Sequence, residues 1–313
     1  MSKKVIGIDL GGSNIRAAIV EPDGSIDGRV YVPTPKTLDA GQMADMVAKL
    51  VDELQGQNGA SSIGLAIAAV VDAKRNRIVT SPNLSQLNDF DFAKELGGRA
   101  GLDVVLENDA TAAAIGEHWL GAGKGSENMI CVTLGTGVGG GLIIEGEPVY
   151  GADGNAGEIG HICLDADGPP CGCGSNGCLE QYSSGTAIVR LTRELLANSP
   201  ESSLRSHLEF TSQDVSAAAM QGDRAATEAF KIAGKRLGMA LAGLVNLLNP
   251  EVIVIAGGVA NSWDLFIGAA REELAKRAFQ QPAERVKIVR GTLGDDAGVL
   301  GAAKRAFSNK GFS

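Results

Sequence analysis

Short apolar runs alternate with segments of helical period along most of this chain, and this alternation predicts an α/β fold. In the first 120 residues, helical spacing of apolar positions predicts helices at residues 43–54, 90–100 and 110–120. Between and before them, apolar runs predict strands at residues 5–10, 16–20, 29–33, 62–72 and 104–107. Gly11-Gly12-Ser13-Asn14 separates the first two strands and predicts a hairpin turn.

A second cycle of elements begins near residue 128 and repeats this order. It predicts strands at residues 128–134, 141–144, 252–256 and 285–290, and helices at residues 180–196, 225–248 and 297–306. Each cycle starts with a strand, a glycine-rich turn and a returning strand. The repeat indicates a duplicated α/β unit, although two glycine-rich hairpins also arise by chance.

Composition narrows the class of protein. A chain of 313 residues exceeds what one hydrophobic core usually supports, which predicts two domains. A hydrophobic content of 44% with 21% charged residues is ordinary for a soluble enzyme. The formal net charge of −9 argues against a surface that binds nucleic acid or an anionic membrane.

The lack of a targeting pattern and the number of cysteines favour a cytoplasmic location for the protein. No apolar run approaches the length of a membrane span, and the first residues do not have the pattern of a secretory signal. The five cysteines are an odd number, which favours reduced thiols over disulfides. We therefore expect a cytoplasmic protein without a membrane or nucleic-acid partner.

A metal-binding pattern stands out at residues 158–180. His161 is followed by three cysteines in a glycine-rich segment, Cys171, Cys173 and Cys178. One histidine and three thiolates make a closed tetrahedral set for Zn²⁺ and leave no position for water, which predicts a structural metal. Glu158 and Glu180 at the edges are not needed as ligands. A lone glutamate is usually a solvated charge, but carboxylates held by a rigid loop are also suited to accepting hydrogen bonds from sugar hydroxyls.

Three glycine-rich turns, at residues 11–12, 135–141 and 257–258, each follow an apolar strand. Glycine lets a phosphate or a base approach the backbone, and successive amides can cradle an anion. Each turn alone is equally well a simple hairpin. Together with Asp9, which is suited to holding Mg²⁺ through water, and with Ser13, they favour a nucleotide held by two similar domains.

Asn108 and Asp109 lie where a predicted strand ends and a helix begins. Their spacing favours a helix N-cap, since both residue types satisfy free backbone amides there. The alternative is that Asp109 accepts a proton from an attacking hydroxyl. Asn83 follows Ser81-Pro82, a pattern typical of a turn.

Taken together, six motifs resemble those of the ROK family of sugar kinases and repressors, in order along the whole chain. They are Asp9-Leu-Gly-Gly-Ser-Asn14, Glu107-Asn-Asp109, Leu134-Gly-Thr-Gly-Val-Gly139, Gly157-Glu-Ile-Gly-His161, Cys171-Gly-Cys-Gly-Ser-Asn-Gly-Cys-Leu-Glu180 and Ala256-Gly-Gly-Val259. The cysteine-rich motif is highly specific, and the glycine turns are much less so.

The resemblance implies the actin-like ATPase fold, also called hexokinase- or ribonuclease H-like, with two α/β domains around a cleft for sugar and ATP. It implies a small N-terminal domain, residues 1–115 with the last helix at 297–313, and a large domain, residues 116–296, that carries the zinc loop. It further implies a homodimer that phosphorylates a hexose with Mg²⁺ and ATP.

The resemblance also assigns roles to residues. It makes Asp109 the general base, in place of the helix N-cap that the spacing favours. The residues implied to bind sugar are Asn83, Asn108, Asp109, Glu158, His161 and Glu180. Those expected to bind the nucleotide are Asp9, Gly11, Gly12, Ser13, Asn14, Gly135, Thr136, Gly137, Gly257 and Gly258. The implied zinc ligands are His161, Cys171, Cys173 and Cys178.

Glucose is the expected sugar, because N-acetylmannosamine kinases of the family tend to carry another residue at the position of Glu158. Kinases of N-acetylglucosamine, N-acetylmannosamine, fructose or mannose, and a polyphosphate donor, stay open. Ala68-Ala69 stands where the family usually has Pro-Gly, and the added methyl of Ala69 bears on the sugar's pose. A sugar-sensing repressor is disfavoured because the first strand begins at Val5 and the chain is acidic; a binding-only pseudokinase is disfavoured by Asp109 and the glycine turns.

Overall fold

The computed structural model describes residues 4–56, 59–81 and 83–308. Its chain divides into two compact units. Unit 1 comprises residues 1–127, 141–157 and 292–313, and unit 2 comprises residues 128–140 and 158–291. The domain limits expected from the sequence differ from these units at residues 116–127, 141–157 and 292–296, and as functional domains they stay a prediction.

The described residues form two five-stranded sheets and a small hairpin. The strands are β1 (Val5–Leu10), β2 (Asn14–Val20), β3 (Ile26–Pro33), β4 (Ser62–Ile67), β5 (Val70–Asp72), β6 (Arg77–Thr80), β7 (Asp103–Asn108), β8 (Met129–Leu134), β9 (Val138–Ile144), β10 (Glu147–Pro148), β11 (Val252–Ala256) and β12 (Lys287–Arg290). The sheet orders are β3-β2-β1-β4-β7 and β10-β9-β8-β11-β12, and β5 pairs with β6.

Both large sheets have the same topology. In chain order within each sheet, the strands are arranged third, second, first, fourth and fifth. The strand pairs β1–β4 and β4–β7 are parallel, as are β8–β11 and β11–β12. This identity of order supports the duplicated α/β unit expected from the two sequence cycles.

Ten α-helices surround these strands in the part of the chain that is described. They are α1 (Ala40–Gln55), α2 (Phe92–Ala100), α3 (Asp109–Trp119), α4 (Glu180–Ser183), α5 (Gly185–Leu196), α6 (Ser212–Met220), α7 (Arg224–Leu248), α8 (Trp263–Arg277), α9 (Gln280–Arg285) and α10 (Ala297–Ser308). None of the described helices is both long and apolar enough to span a bilayer.

For three predicted elements, a local feature explains why the limits in the structure differ. The predicted strand at residues 62–72 is two strands, because the chain turns at Ala68-Ala69. The predicted helix at residues 180–196 breaks at Ser184, whose hydroxyl caps α5 by accepting from the Ala187 amide at 3.0 Å. The last strand starts at Lys287 rather than at residue 285, because α9 continues to Arg285.

The sheet of unit 1 is covered on both faces. Its main core joins β1, β2, β4 and β7 to α1 and α2, and a second cluster packs α10 against β1 and β2. Close approach of α10 to its neighbours requires glycine. A Cβ built on Gly301 would lie 1.7 Å from the Ala112 carbonyl oxygen of α3, and one built on Gly64 would lie 1.8 Å from that of Ala302.

Candidate active site and metal centre

The first glycine turn in unit 1 is a hydrogen-bonded hairpin beside a half-buried carboxyl group. The Gly11 amide donates to the Asn14 carbonyl oxygen at 3.0 Å. Asp9, near the end of β1, lies 3.7 Å from an Arg16 guanidinium nitrogen, and Arg16 also pairs with Asp295 at 3.2 Å. Burial raises the pKa of Asp9 to about 6, against the opposing effect of Arg16. The turn therefore places a glycine backbone without side chains next to a carboxyl group, and a bound cation would lower the pKa of that group.

The Ala68-Ala69 turn joins three segments that carry predicted site residues. The Ala68 amide donates to Leu10 O at 3.5 Å, and the Ser81 hydroxyl donates to Ala68 O at 2.8 Å. The Asn108 side-chain amide donates to Ala69 O at 3.0 Å. The methyl group of Ala69 is only 5% exposed and packs in the main core of unit 1. The Ala68-Ala69 sequence, in place of Pro-Gly, therefore adds a contact in the core. The carbonyl oxygens of the turn hold Ser81 and the side chain of Asn108 in place.

Asn83 lies against the first glycine turn. A Cβ built on Gly12 would lie 3.5 Å from the Cβ of Asn83. The structure thus brings together, within unit 1, one residue expected to bind sugar and one expected to bind nucleotide. The Ser81-Pro82 turn proposed for this loop lies partly outside the described residues, since Pro82 is not among them.

Asn108, and not Asp109, caps helix α3. The Asn108 side-chain oxygen accepts from the Thr111 amide at 2.9 Å, whereas Asp109 is the first helical residue. The Asp109 carboxylate accepts from the Ala110 amide at 2.9 Å and from the Asn108 side-chain amide at 3.3 Å. The capping interpretation therefore holds for Asn108, and the roles of both residues toward a sugar stay predictions.

The four predicted zinc ligands converge in unit 2. One ligand atom from each of His161, Cys171, Cys173 and Cys178 lies within 4.8 Å of every other. Cys171 Sγ is 3.6 Å from His161 Nδ1, and the sulfur atoms of Cys173 and Cys178 are also 3.6 Å apart. A tetrahedral zinc with ordinary bond lengths needs ligand atoms roughly 3.5–3.8 Å apart. The set therefore fits a structural Zn²⁺ ion.

The thiols of this cluster are in unequal surroundings. Burial raises the pKa of the Cys178 thiol to about 12. A hydrogen bond from the Ser175 backbone amide lowers the pKa of Cys173. Since Zn²⁺ binds thiolates, it would have to displace the Cys178 proton, and binding would release protons.

His161 and Glu180 connect the metal centre to the groups expected to bind substrates. His161 turns Nδ1 toward Cys171 and leaves Nε2 3.8 Å from the Glu158 carboxylate. One ring nitrogen can therefore bind metal while the other faces the Glu158 carboxylate, which is expected to bind a sugar hydroxyl. Glu180 accepts from the Val138 amide at 3.0 Å, at the end of the second glycine turn.

The second and third glycine turns meet at the carboxyl ends of two neighbouring parallel strands. Thr133 of β8 pairs with Ala256 of β11, directly before the two turns. The Gly185 amide donates to Gly135 O at 2.8 Å, and the Thr186 hydroxyl donates to Thr136 O at 2.9 Å. The start of α5 therefore holds the Gly135–Thr136 turn, in the position where an α/β sheet usually binds its ligand.

Two polar residues of unit 1 were missed in the sequence. Arg16 contacts Asp9, as described above, and Glu107 is 1% exposed in β7 directly before Asn108. A signal was available for Glu107: it is a charged residue that continues the buried apolar run 104–106. A buried carboxylate implies partners, but the sequence does not say which.

Comparisons with known proteins show the family to which the chain belongs. A sequence model of a protein family, described as "ROK family", matches residues 5–308. The chain is 35% identical to a glucokinase of Thermotoga maritima, with 96% of each chain covered. A crystal structure of a ROK family glucokinase from Streptomyces griseus, in complex with glucose and AMPPNP, superposes with a TM-score of 0.86 at 34% identity and covers 98% of this chain and all of that one. A putative xylose repressor of Caldicellulosiruptor sp. is 30% identical, over 97% of this chain and 78% of the repressor.

Proposed function

This chain belongs to the ROK family, and we propose that it is an ATP-dependent hexokinase that phosphorylates glucose at the 6-hydroxyl. The resemblance seen in the motifs is thereby confirmed, and with it the actin-like ATPase fold. The observation that carries the proposal is similarity to bacterial glucokinases along nearly the whole chain, at both the sequence and the structural level.

We assign the reaction to the residues predicted from the motifs. Asp109 accepts the proton of the sugar's 6-hydroxyl as the γ-phosphoryl group is transferred in line. Phosphoryl transfer has a loose transition state, so positioning and charge neutralisation supply most of the acceleration. The hydroxyl groups of the sugar are hydrogen-bonded by Asn83, Asn108, Glu158, His161 and Glu180.

The cofactors follow from the same assignment. Asp9 would hold the Mg²⁺ ion that accompanies ATP, and the ion would neutralise charge on the phosphates. The nucleotide-binding residues are those predicted from the glycine turns, which offer backbone amides to phosphate groups. His161, Cys171, Cys173 and Cys178 would hold a structural Zn²⁺ ion, which would supply rigidity to the loop that carries Glu180 and take no part in the chemistry.

The proposal includes the organisation of the protein. We expect a cytoplasmic homodimer, with residues 1–115 and 297–313 forming the small domain and residues 116–296 the large domain. Size-exclusion chromatography with light scattering tests the assembly, and a monomer at micromolar concentration would contradict it.

The substitution Asp109→Asn tests the proposed base. It removes the proton acceptor and keeps the size of the side chain, so kcat for glucose should fall by about 10²–10⁴-fold. The circular dichroism spectrum and Tm should stay close to those of the wild type. Asp103→Asn, at an exposed position at the start of the preceding strand β7, is the matched control and should keep wild-type kcat. Near-wild-type turnover of Asp109→Asn would refute the assignment.

The substrate is tested by ADP release with a panel of sugars. Glucose should give the highest kcat/KM among glucose, mannose, fructose, N-acetylglucosamine and N-acetylmannosamine, and ATP should be preferred to polyphosphate. A different best sugar would keep the kinase and change its substrate. No turnover with any sugar, combined with measurable sugar binding, would favour a regulatory protein similar to the repressor relatives.

A further inference from the structure

A buried carboxylate in unit 1 lies next to the proposed base and has no part in the mechanism described above. Glu107 is the last residue but one of β7 and is 1% exposed. Burying a charge is unfavourable unless partners compensate, and such groups are kept where they hold something in place. The question is what Glu107 holds.

Three distant parts of unit 1 meet at this carboxylate. The Tyr150 hydroxyl donates to Oε2 at 2.7 Å, and Arg305 Nε of α10 lies 3.1 Å from the same oxygen. The other oxygen, Oε1, accepts from the Asn108 backbone amide at 3.0 Å. Both carboxylate oxygens are therefore engaged, and one of them binds the main chain of the proposed catalytic turn.

The charges favour a fixed arrangement. Burial raises the pKa of Glu107, while the Tyr150 hydroxyl and the Arg305 charge act in the opposite direction. Burial also raises the pKa of Tyr150, so that its hydroxyl stays protonated and donates. The Arg305 guanidinium lies 5.5 Å from the centre of the Tyr150 ring, within cation–π range.

The contacts continue from Glu107 to the base. The Asn108 amide bonded to Glu107 belongs to the residue whose side chain caps α3 and donates to Asp109 at 3.3 Å. The same side chain holds the Ala69 carbonyl oxygen at 3.0 Å. A shift of the Asn108 backbone would therefore move the cap and the Asp109 carboxylate together.

We propose that Glu107, held by Tyr150 and Arg305, is a positioning residue that fixes the Asn108-Asp109 turn for proton transfer. The inference rests on the proposed function, in which Asp109 is the base. It assigns Glu107 no contact with the substrate. A misplacement of about 1 Å can reduce the rate of a reaction about 10²-fold, so an anchor one residue away is enough to affect turnover.

The test compares two buried glutamates of the same unit. Glu107→Gln removes the charge, and Tyr150→Phe removes one donor while keeping the ring. The control is Glu117→Gln, near the end of α3. Glu117 is 0% exposed and accepts from the Ala122 amide at 2.8 Å and the Leu293 amide at 2.9 Å, away from the Asn108-Asp109 turn.

Two readouts separate positioning from stability. We expect kcat of Glu107→Gln to fall about 10- to 100-fold, with KM for ATP nearly unchanged, at a temperature where every variant is folded. Hydrogen exchange of the peptide spanning residues 104–111 should become about 10-fold faster in Glu107→Gln and in Tyr150→Phe. Glu117→Gln should lower Tm and leave both kcat and this exchange at the wild-type level.

Wild-type kcat and exchange in Glu107→Gln would overturn the proposal, and so would an equal loss of kcat in Glu117→Gln. If Glu107→Gln does not fold, Tyr150→Phe decides by the same two readouts. Failure of the proposed function looks different: the wild type lacks turnover, or Asp109→Asn retains it, while the exchange data still report whether Glu107 holds the turn.

Discussion

Two carboxylates of unit 1 show how burial and neighbouring groups set the pKa of a side chain, which the residue type alone does not determine. Asp9 and Glu107 are both carboxylates in strands, yet each has its own partners. Arg16 lies near Asp9 at 3.7 Å, and a hydroxyl, a guanidinium and a backbone amide surround Glu107. Asp9 keeps a raised pKa of about 6, which makes it the group whose ionisation should respond to nucleotide-bound Mg²⁺.

The stability of the nucleotide-free protein should therefore depend on Asp9 between pH 4 and pH 6. The folded pKa, about 6, lies above the ordinary value of 3.8, so folding favours the protonated form. The contribution is fully present below pH 4 and is lost as pH rises through 6, a change of roughly 3 kcal/mol in the free energy of unfolding. Asp9→Asn should abolish this loss.

Urea unfolding at pH 4.5 and pH 7 measures the effect. The difference between the two midpoints should shrink in Asp9→Asn and stay unchanged in Asp103→Asn, an exposed control. Identical pH dependence of wild type and Asp9→Asn would show that Asp9 has an ordinary pKa in the folded protein.

Among the elements, the segment from Ile159 to α4 has little regular structure to hold it. It contains a single 3₁₀ turn, Ile159–His161, and isolated backbone bridges such as Cys163 to Cys178. Backbone hydrogen bonds between its loops, such as that from the Leu164 amide to the Gly177 carbonyl oxygen at 2.8 Å, order the segment together with side chains. The His161 and cysteine cluster is the side-chain contribution to that order, and Glu180 at the end of the segment accepts from the amide of Val138.

Removal of zinc should therefore loosen this segment and weaken glucose binding. We expect about one zinc ion per chain in the wild type, and its loss in Cys171→Ser, Cys173→Ser or Cys178→Ser. Hydrogen exchange of residues 159–180 should speed up, and Kd for glucose should rise at least about 10-fold, as expected for the loss of one hydrogen bond to a charged group.

Cys163→Ser is the matched control for the zinc site. Cys163 is an exposed thiol in the same segment and is outside the ligand cluster, so its replacement should keep both zinc and glucose affinity. Elemental analysis that finds no zinc in wild-type protein purified without chelators would refute the metal assignment.

At the scale of the whole chain, helix α10 packs on the strands that come first in the sequence. Helix α10 packs against β1, β2 and α3 within unit 1, and Arg305 reaches Glu107 from it. Small residues make this approach possible: Ala66, Ala112 and Ala302 form a buried cluster. Stability of unit 1, and the geometry beside Asp109, therefore depend on residues almost 200 positions downstream in sequence.

Gly301→Ala tests this dependence. The new methyl would lie 1.7 Å from the Ala112 carbonyl oxygen and must push α10 away, so the free energy of unfolding should fall by about 1–3 kcal/mol or more. Gly243→Ala is the control, since a Cβ at that position in α7 would meet no atom within 4 Å beyond the adjoining turns of its own helix. Alanine is the better helix former, so this control should stabilise by up to about 1 kcal/mol. Equal Tm values for the two variants would contradict the packing argument.

Local chemistry determined much of this protein from sequence alone. The zinc ligands, the glycine turns and most strands were predictable because each depends on residues close together in the chain. Helices α6 and α8 and the break at Ser184 were not predicted, because their limits depend on caps and packing.

Tertiary structure decided which polar residues work together. From the sequence, the cap at the Asn108-Asp109 pair was assigned to Asp109, whereas the structure gives the cap to Asn108 and makes Asp109 the first helical residue. Only the folded structure brings Tyr150 and Arg305 to the buried carboxylate of Glu107, because the three residues lie in distant segments of the sequence. Spacing predicts local ligands, whereas the partners of a buried charge are set by the packing of elements around it.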